Sequence, residues 1–592
     1  MTTLKDIAAE NTPVNWGLIK SDPGKFWKTF SWVVPAVGLG VIWVMTRIMT
    51  VLPKILGDEL IYSNNARHTA LADSSVPNYL FNLLYSTTSS FGYAFYTAAK
   101  VYNLFFLVAL SAVVYLAARL IAKPGVSFVV ALIALVGPIS AYASYFTPEM
   151  MFYFGCAVVI YFALRFHART GAGKWALLGF GLGLVTLVKP HALFLTAPLL
   201  AYIVYLAFKG EGNGWLKSIV RVLSFGVALV ASKFAIGYAF AGEKGLSIFG
   251  GSYDASAASA INSGGAATGG AVTDPNVAVI AAGGAVGTTV WQVLFHISYM
   301  LMFLAVPLIL TGIQTIRAFR TKGEPSDTTK VSYFLFVALI ALVLVSAAFV
   351  AYSSAFGETL QNRVMIRYYE YLIPFLPLTL LPLGNHIPKL GNSAKWAILA
   401  GAAIWLIIAL PNMSTIVPGL FTDSSMMASA IKSGIPLAVF AVLGVGMLAY
   451  WLFNPETGSQ VWLYAFAPLM VLVYAISCYT NMTVPSSNVG MYTGSSRWVH
   501  ENISEADRED ILVIGNNFQN VQAAQLWIDT PSSTGLMVAE GAEVNINDFP
   551  EKGQLILAIG KVALTGDGFI VKQEDSWALI KNATPEEVAS KK

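Results

Sequence analysis

The sequence predicts a polytopic α-helical membrane protein with a small α/β domain at its C-terminal end. Three observations carry this. The chain of 592 residues is 56% hydrophobic and only 11% charged, where soluble domains carry roughly 25% charged residues. Its mean hydropathy is +0.64. Its last hundred or so residues change to a polar, strand-rich character. The net charge of +4 is too small for a nucleic-acid-binding face.

Runs of roughly 17–25 apolar residues, each long enough to cross a bilayer core, fall near 30–52, 93–116, 126–146, 149–165, 174–189, 191–208, 217–240, 289–313, 331–355, 369–384, 395–412, 435–453 and 460–479. This gives about thirteen spans. Residues 1–29 are polar and hold Lys5, Lys20, Lys25 and Lys28. They read as a cytoplasmic segment before a retained first helix, with no cleavable signal. Cys156 and Cys478 lie inside apolar runs and read as small buried hydrophobes.

Charge bias sets the orientation. With the N-terminus inside, the cytoplasmic segments hold 18 Lys and Arg, the external loops and outer helix ends 10, and the tail 8, of the 36 in the chain. Long translocated domains fall outside the positive-inside rule, so the comparison is 18 against 10. Thirteen spans then place the C-terminus outside.

Residues 30–484 form the membrane domain and 485–592 the external α/β domain. In the tail, ILVIGNN (511–517), LMVAE (536–540), QLILAIG (554–560), GFIVKQ (568–573) and SWALIKN (576–582) read as strands, and 518–529 as a helix. The glycine spacing of a dinucleotide fingerprint is absent after the first strand. An external loop at 53–92 carries the acidic pair Asp58-Glu59. A second, at 241–287, holds 11 Gly in 47 residues and reads either as a linker or as a loop that orders over a substrate.

The ionisable groups away from the cytoplasmic ends map to the outer third of the membrane. Among them are Asp58, Glu59, Arg67, Glu149, Lys189, His191, Lys233, His296, Arg363 and Arg367. A proton- or ion-coupled transporter wants such groups near the midplane. Acids and several cations at headgroup depth, above apolar walls, suit a lipid-phosphate-linked substrate. Snorkelling explains cations at helix ends but not Asp58-Glu59 or Glu149.

An acidic pair after the first span, a second acid opening the fourth (TPEMM, 147–151) and an Arg-Tyr segment before a Pro-rich late helix (RYYEYLIPFLP, 367–377) resemble the GT-C superfamily of glycosyltransferases. The similarity in layout is to the polyprenyl-phosphate-sugar type: lipid A aminoarabinose transferases, protein O-mannosyltransferases and arabinofuranosyltransferases. The resemblance implies an enzyme of the bacterial inner membrane. It would move a sugar from a polyprenyl-phosphate donor to a hydroxyl of a glycan, lipid or protein acceptor on the periplasmic face. In the family the acid of the first external loop is the general base, and Asp58 matches that position; Glu59 is the alternative or orients the acceptor. In-line attack would invert the anomeric centre.

The remaining residues have two readings each. Glu149 is a helix-start acid favoured by the dipole or a hydrogen-bonding partner of sugar or acceptor. Lys189 and His191 form an interfacial turn or a phosphate clamp. Arg367, with Arg363 before it, is read as a phosphate ligand, since Arg–phosphate forks are strong and specific. Lys233 is a second phosphate candidate. Tyr368 is an interface-belt residue or part of the site. His296 is a core histidine or a substrate contact, and Arg67 is counted as substrate-facing. No compact ligand spacing demands a metal, and a divalent cation near Asp58, Glu59 and Glu149 is left open. A flippase of lipid-linked sugars and a glycan polymerase or ligase are the competing readings.

Overall fold

The structure, a computed structural model, describes residues 33–54, 56–210, 213–249, 275–320, 322–355, 364–381, 390–413, 434–482, 493–549, 554–566, 568–582 and 590. Most of residues 241–287, all of 1–29, and Arg363 lie outside the described residues. The chain divides into two compact units. One comprises Met1–Arg47, Leu104–Ala143 and Glu149–Asn481; the other comprises Ile48–Asn103, Ser144–Pro148 and Met482–Lys592.

The first unit is helical. Among the described residues of the chain, six helices are long and apolar enough to cross a membrane, or seven if the bent pair Pro124–Val136 and Pro138–Ser144 is one span. Four shorter apolar helices, Pro35–Met49, Ala172–Thr186, Glu370–Leu380 and Ala438–Phe453, accompany them. A multi-pass membrane protein follows, with fewer helices of full spanning length among the described residues than the thirteen apolar runs. Proline accounts for part of the difference. Pro190 separates the helix Ala172–Thr186 from a 3₁₀ turn, Pro190–Leu195. Pro374 and Pro377 keep Glu370–Leu380 in 3₁₀ form, because each removes a backbone donor and crowds the preceding turn.

Small residues let helices approach where lipid offers no hydrophobic drive. In Ala172–Thr186, a Cβ on Gly179 would sit 2.1 Å from the Phe225 carbonyl oxygen, and one on Gly183 would sit 1.8 Å from Ser232 Oγ. The helix Gly214–Ala241 therefore packs backbone to backbone along this glycine stripe.

The second unit combines the segment after the first helix with the C-terminal region. Its main sheet runs in the order β2-β1-β4-β7-β6. These strands are β1 Leu512–Gly515, β2 Thr534–Met537, β4 Leu555–Ile559, β6 Gly568–Glu574 and β7 Trp577–Asn582. β1 is parallel to β2 and β4, while β7 is antiparallel to β4 and β6. Two short strands, β3 Glu543–Asn545 and β5 Ala563–Thr565, form a separate parallel pair. β1 is buried along its whole length, as expected of a parallel strand covered on both faces. Val513, Leu557 and Leu579 pack on one side with Val521 and Ile528 of the helix Phe518–Ile528. Leu512, Ile514 and Ile556 pack on the other with Ile546.

Residues 53–92, read from the sequence as a loop, are largely helical. They contain the helix Leu56–Arg67, which starts with the acidic pair in its first turn, and the helix Tyr79–Tyr85. The helix Leu56–Arg67 has no apolar stripe to announce itself. It forms because its flank is packed: Gly57 lies against Gln522 of the C-terminal helix, with a Cβ at that position 3.8 Å from Gln522 Nε2.

Candidate functional site

In the helical unit, three sequence-predicted residues converge on one point. Glu149 opens the helix Glu149–Arg165 directly after Thr147-Pro148, where the helix dipole favours an acid. Its Oε1 accepts hydrogen bonds from Lys189 Nζ and from Arg367 Nε, each at 2.5 Å. All three side chains are buried.

Local backbone chemistry brings them there. Lys189 precedes Pro190 and has extended backbone, φ −152° and ψ 123°, because a residue before proline is pushed out of the helical region. That break ends the helix and turns the lysine inward. Arg367 sits in a single 3₁₀ turn, Ile366–Tyr368, ahead of the proline-rich Glu370–Leu380. Tyr153, one turn along from Glu149, donates its hydroxyl to the Arg367 carbonyl at 2.7 Å and fixes that turn. His191 stacks flat on Tyr368, with ring centroids 4.5 Å apart and planes 14° from parallel. Glu370 is also fully buried. Buried charges are stable only when paired and hydrogen-bonded. Here two cations share one carboxylate oxygen beside an aromatic wall of Phe152, Tyr153 and Tyr371.

Other candidates in this unit fall elsewhere. Lys233 Nζ donates to the carbonyls of Ser247 and Ile248, both at 3.2 Å, and so ties down the chain leaving its helix. His296 Nδ1 is 2.5 Å from the Tyr369 hydroxyl in a fully buried pair.

In the second unit the acidic pair divides its labour. Glu59 is fully buried. Its Oε1 accepts from the Tyr96 hydroxyl at 2.5 Å and from the Phe146 amide at 3.0 Å, and its Oε2 accepts from the Lys54 amide at 2.9 Å. Asn103 Nδ2 donates to the Tyr145 carbonyl at 2.6 Å, so Ser144–Pro148 is held from both sides. Asp58 is half-buried, the more accessible of the two carboxylates. Lys100 Nζ donates to the Val51 carbonyl at 2.5 Å.

Arg67, counted from the sequence as substrate-facing, is engaged within the fold. It forms a two-pronged ion pair with Asp529, and His68 Nε2 is 2.9 Å from the same carboxylate. Its guanidinium also lies over the Phe95 ring, 3.7 Å from the centroid. Burial raises the Asp529 pKa, but the hydrogen bonds and charges of His68 and Arg67 outweigh it and hold the carboxyl at about 2. Among the described residues no three His, Cys, Asp or Glu side chains gather closely enough to hold a metal ion.

Sequence reading did not single out Tyr96, Tyr153 or Asp529. Their partners lie far away in the chain, and no local pattern marks them.

Residues 76–236 match the family model of dolichyl-phosphate-mannose-protein mannosyltransferases, a GT-C-type family. The resemblance to GT-C glycosyltransferases therefore holds over a stretch that contains Glu149, Lys189, His191 and Lys233. No curated protein matches the chain. Among solved structures, the apo oligosaccharyltransferase of Archaeoglobus fulgidus aligns at 12% identity and a TM-score of 0.38, covering 86% of this chain and 65% of that one. The chain thus spans about two thirds of the length of that protein. The same archaeal enzyme with an inhibitory peptide and a dolichol-phosphate aligns at 11% identity and a TM-score of 0.36, covering 90% of this chain and 70% of that one.

Proposed function

We propose that the chain is an integral membrane glycosyltransferase that moves a sugar from a polyprenyl-phosphate donor to a hydroxyl of a cell-envelope acceptor. The observation that carries this reading is the buried Glu149–Lys189–Arg367 cluster, two of whose members fall in the stretch matched by the mannosyltransferase family.

The chemistry needs two things. As the anomeric C–O bond breaks, its electron pair passes to the phosphate oxygen, and cations must stabilise that charge. As the acceptor oxygen bonds to the anomeric carbon, its proton must go to a base. Lys189 and Arg367 are assigned to the phosphate, with Glu149 holding both in place until the donor arrives. His191 and Tyr368 flank them and are assigned to the sugar or lipid neck. Arg363, four residues before Arg367, is assigned to the phosphate as well. Asp58 is assigned as the base. Glu59 is unsuited to that role, since three donors already occupy its two oxygens in a fully buried setting. Attack opposite the leaving phosphate inverts the anomeric configuration.

The proposed topology has thirteen spans, a cytoplasmic N-terminus and a periplasmic C-terminal domain from residue 485. The make-up of the second unit supports it. Its three stretches form one compact body, so the chain must cross the membrane an even number of times between Asn103 and Ser144 and again between Pro148 and Met482. The apolar runs supply two crossings and ten.

The test is incubation of the purified protein with a short-chain polyprenyl-phosphate sugar and candidate acceptors, following both products. Donor cleavage with acceptor glycosylation is expected. Passage of intact donor across a vesicle without cleavage would make the protein a flippase instead.

A further inference from the structure

The helical unit carries a second feature that the proposed reaction does not use. The helices Glu149–Arg165 and Ala172–Thr186 form a hairpin with a groove of about 710 Å³ along it. The walls are apolar: Phe162, Leu177, Phe180 and Leu184 line them, and Leu177 is 71% exposed. The end of the groove at the hairpin turn is basic, lined by Arg165, His167 and Lys174. His167 is engaged, with Nδ1 3.0 Å from Lys330 Nζ and 3.6 Å from the Glu324 carboxylate. Among the described residues Arg165 donates to the Tyr161 hydroxyl, at 3.3 Å. Among the described residues neither Arg165 nor Lys174 has a carboxylate partner. Two cations without a carboxylate partner among the described residues therefore stand at the mouth of an apolar channel whose wall, from Arg165 back to Val158, rises about 10 Å along the helix.

We propose that this groove binds an anionic glycerophospholipid of the surrounding bilayer. Its phosphate lies between Arg165 and Lys174, and the upper part of one acyl chain lies along Phe162, Leu177 and Phe180. The headgroup supplies the selectivity. Apolar walls exchange one hydrocarbon contact for another and favour no particular lipid, whereas a phosphate pairs with the arginine fork and the lysine charge. Basic pockets between helix ends at headgroup level recognise anionic lipids by this means. Gly181 borders the open space of the groove: a Cβ built there meets nothing within 4 Å.

The test is native mass spectrometry of the detergent-purified protein with dioleoyl-phosphatidylglycerol and dioleoyl-phosphatidylcholine. Phosphatidylglycerol should be retained about tenfold more than phosphatidylcholine. Arg165→Ala and Lys174→Ala should each weaken its retention about five-fold. Gly181→Trp, which places an indole in the groove, should lower retention of both lipids, and millimolar inorganic phosphate should displace neither. Melting temperatures in lipid-free detergent identify any variant that fails to fold, and the two types of substitution act on different parts of the groove. Equal retention of the two lipids, or wild-type retention in all three variants, would overturn the proposal. Displacement by inorganic phosphate would replace it with a simple anion site. Stronger retention of polyprenyl phosphate than of phosphatidylglycerol would reassign the groove to the carrier lipid.

Discussion

Arg67 and Asp529 stand 462 positions apart in the chain and meet as a two-pronged ion pair, with Nη2 2.7 Å from Oδ2. Asp529 is the left-handed residue, φ 64°, that ends the helix Phe518–Ile528, and Arg67 ends the helix Leu56–Arg67. With Gly57 against Gln522 near the other end of the same pair, the helix that begins with Asp58-Glu59 is held along its length by the C-terminal region.

Removing either member of the Arg67–Asp529 pair should loosen this unit. A buried ion pair broken by loss of one partner costs about 3–5 kcal/mol. Asp529→Asn and Arg67→Ala should therefore lower the melting temperature in detergent and speed tryptic cleavage between residues 493 and 582. The pH dependence has a definite sign. The folded carboxyl is held at about 2, below its ordinary value near 3.8, so its contribution is complete above about pH 4 and is lost as pH falls toward 2. Asp529→Asn should flatten that acid limb. An unchanged limb in the variant would remove Asp529 from the account.

The two acids of the pair should separate cleanly on substitution. Asp58→Asn should leave the melting temperature near wild type and reduce kcat by roughly 10²–10⁴, the usual worth of a placed general base. Glu59→Gln replaces an acceptor of three hydrogen bonds with a group that donates from one end. It should cost about 1–3 kcal/mol of stability, with a smaller effect on kcat per folded molecule. If Glu59→Gln were stable and inactive while Asp58→Asn turned over normally, the base would be Glu59.

For the phosphate, Arg367→Ala should raise the donor KM roughly 10- to 150-fold, the loss of a charge-assisted hydrogen bond of about 1.5–3 kcal/mol. Arg367→Lys keeps the charge and loses the fork, so it should recover stability but only part of the donor affinity. A lysine variant with wild-type KM would mean that Arg367 serves only to neutralise Glu149.

How much of this was legible depended on range. The apolar runs announced helices because spanning length and hydropathy are local properties. The helix read at 518–529 is present as Phe518–Ile528, and the buried strands β1 and β4 stand within their apolar runs. β3 and β5, three residues each, were missed, since so short a strand shows no alternation. The helix Leu56–Arg67, inside the external connection 53–92, has no signature in the sequence because its polar residues circle it, and tertiary packing rather than propensity keeps it helical. At the candidate site the sequence supplied Glu149, Lys189 and Arg367 as residue types at plausible depth. It gave no sign that the lysine and the arginine share one oxygen of the glutamate, because that contact joins positions 40 and 218 residues apart. Asp529 was beyond reach for the same reason.

The sidedness can be tested on the second unit itself. Ala72 and Glu543 are exposed residues of that unit, one in the segment after the first helix and one in the C-terminal region. Because both belong to one compact body, both must face the same compartment. Gly171 is exposed at the turn before the helix Ala172–Thr186, and it lies on the cytoplasmic side in the proposed topology. With Cys156 and Cys478 replaced by alanine, single cysteines at 72, 543 and 171 should divide under a membrane-impermeant maleimide. Ala72→Cys and Glu543→Cys should react in intact spheroplasts, and Gly171→Cys only after permeabilisation. Reaction of the first two on opposite sides would dissolve the second unit as a single body. Protection of both, with Gly171→Cys reactive, would invert the proposed topology and move Asp58 to the cytoplasmic face.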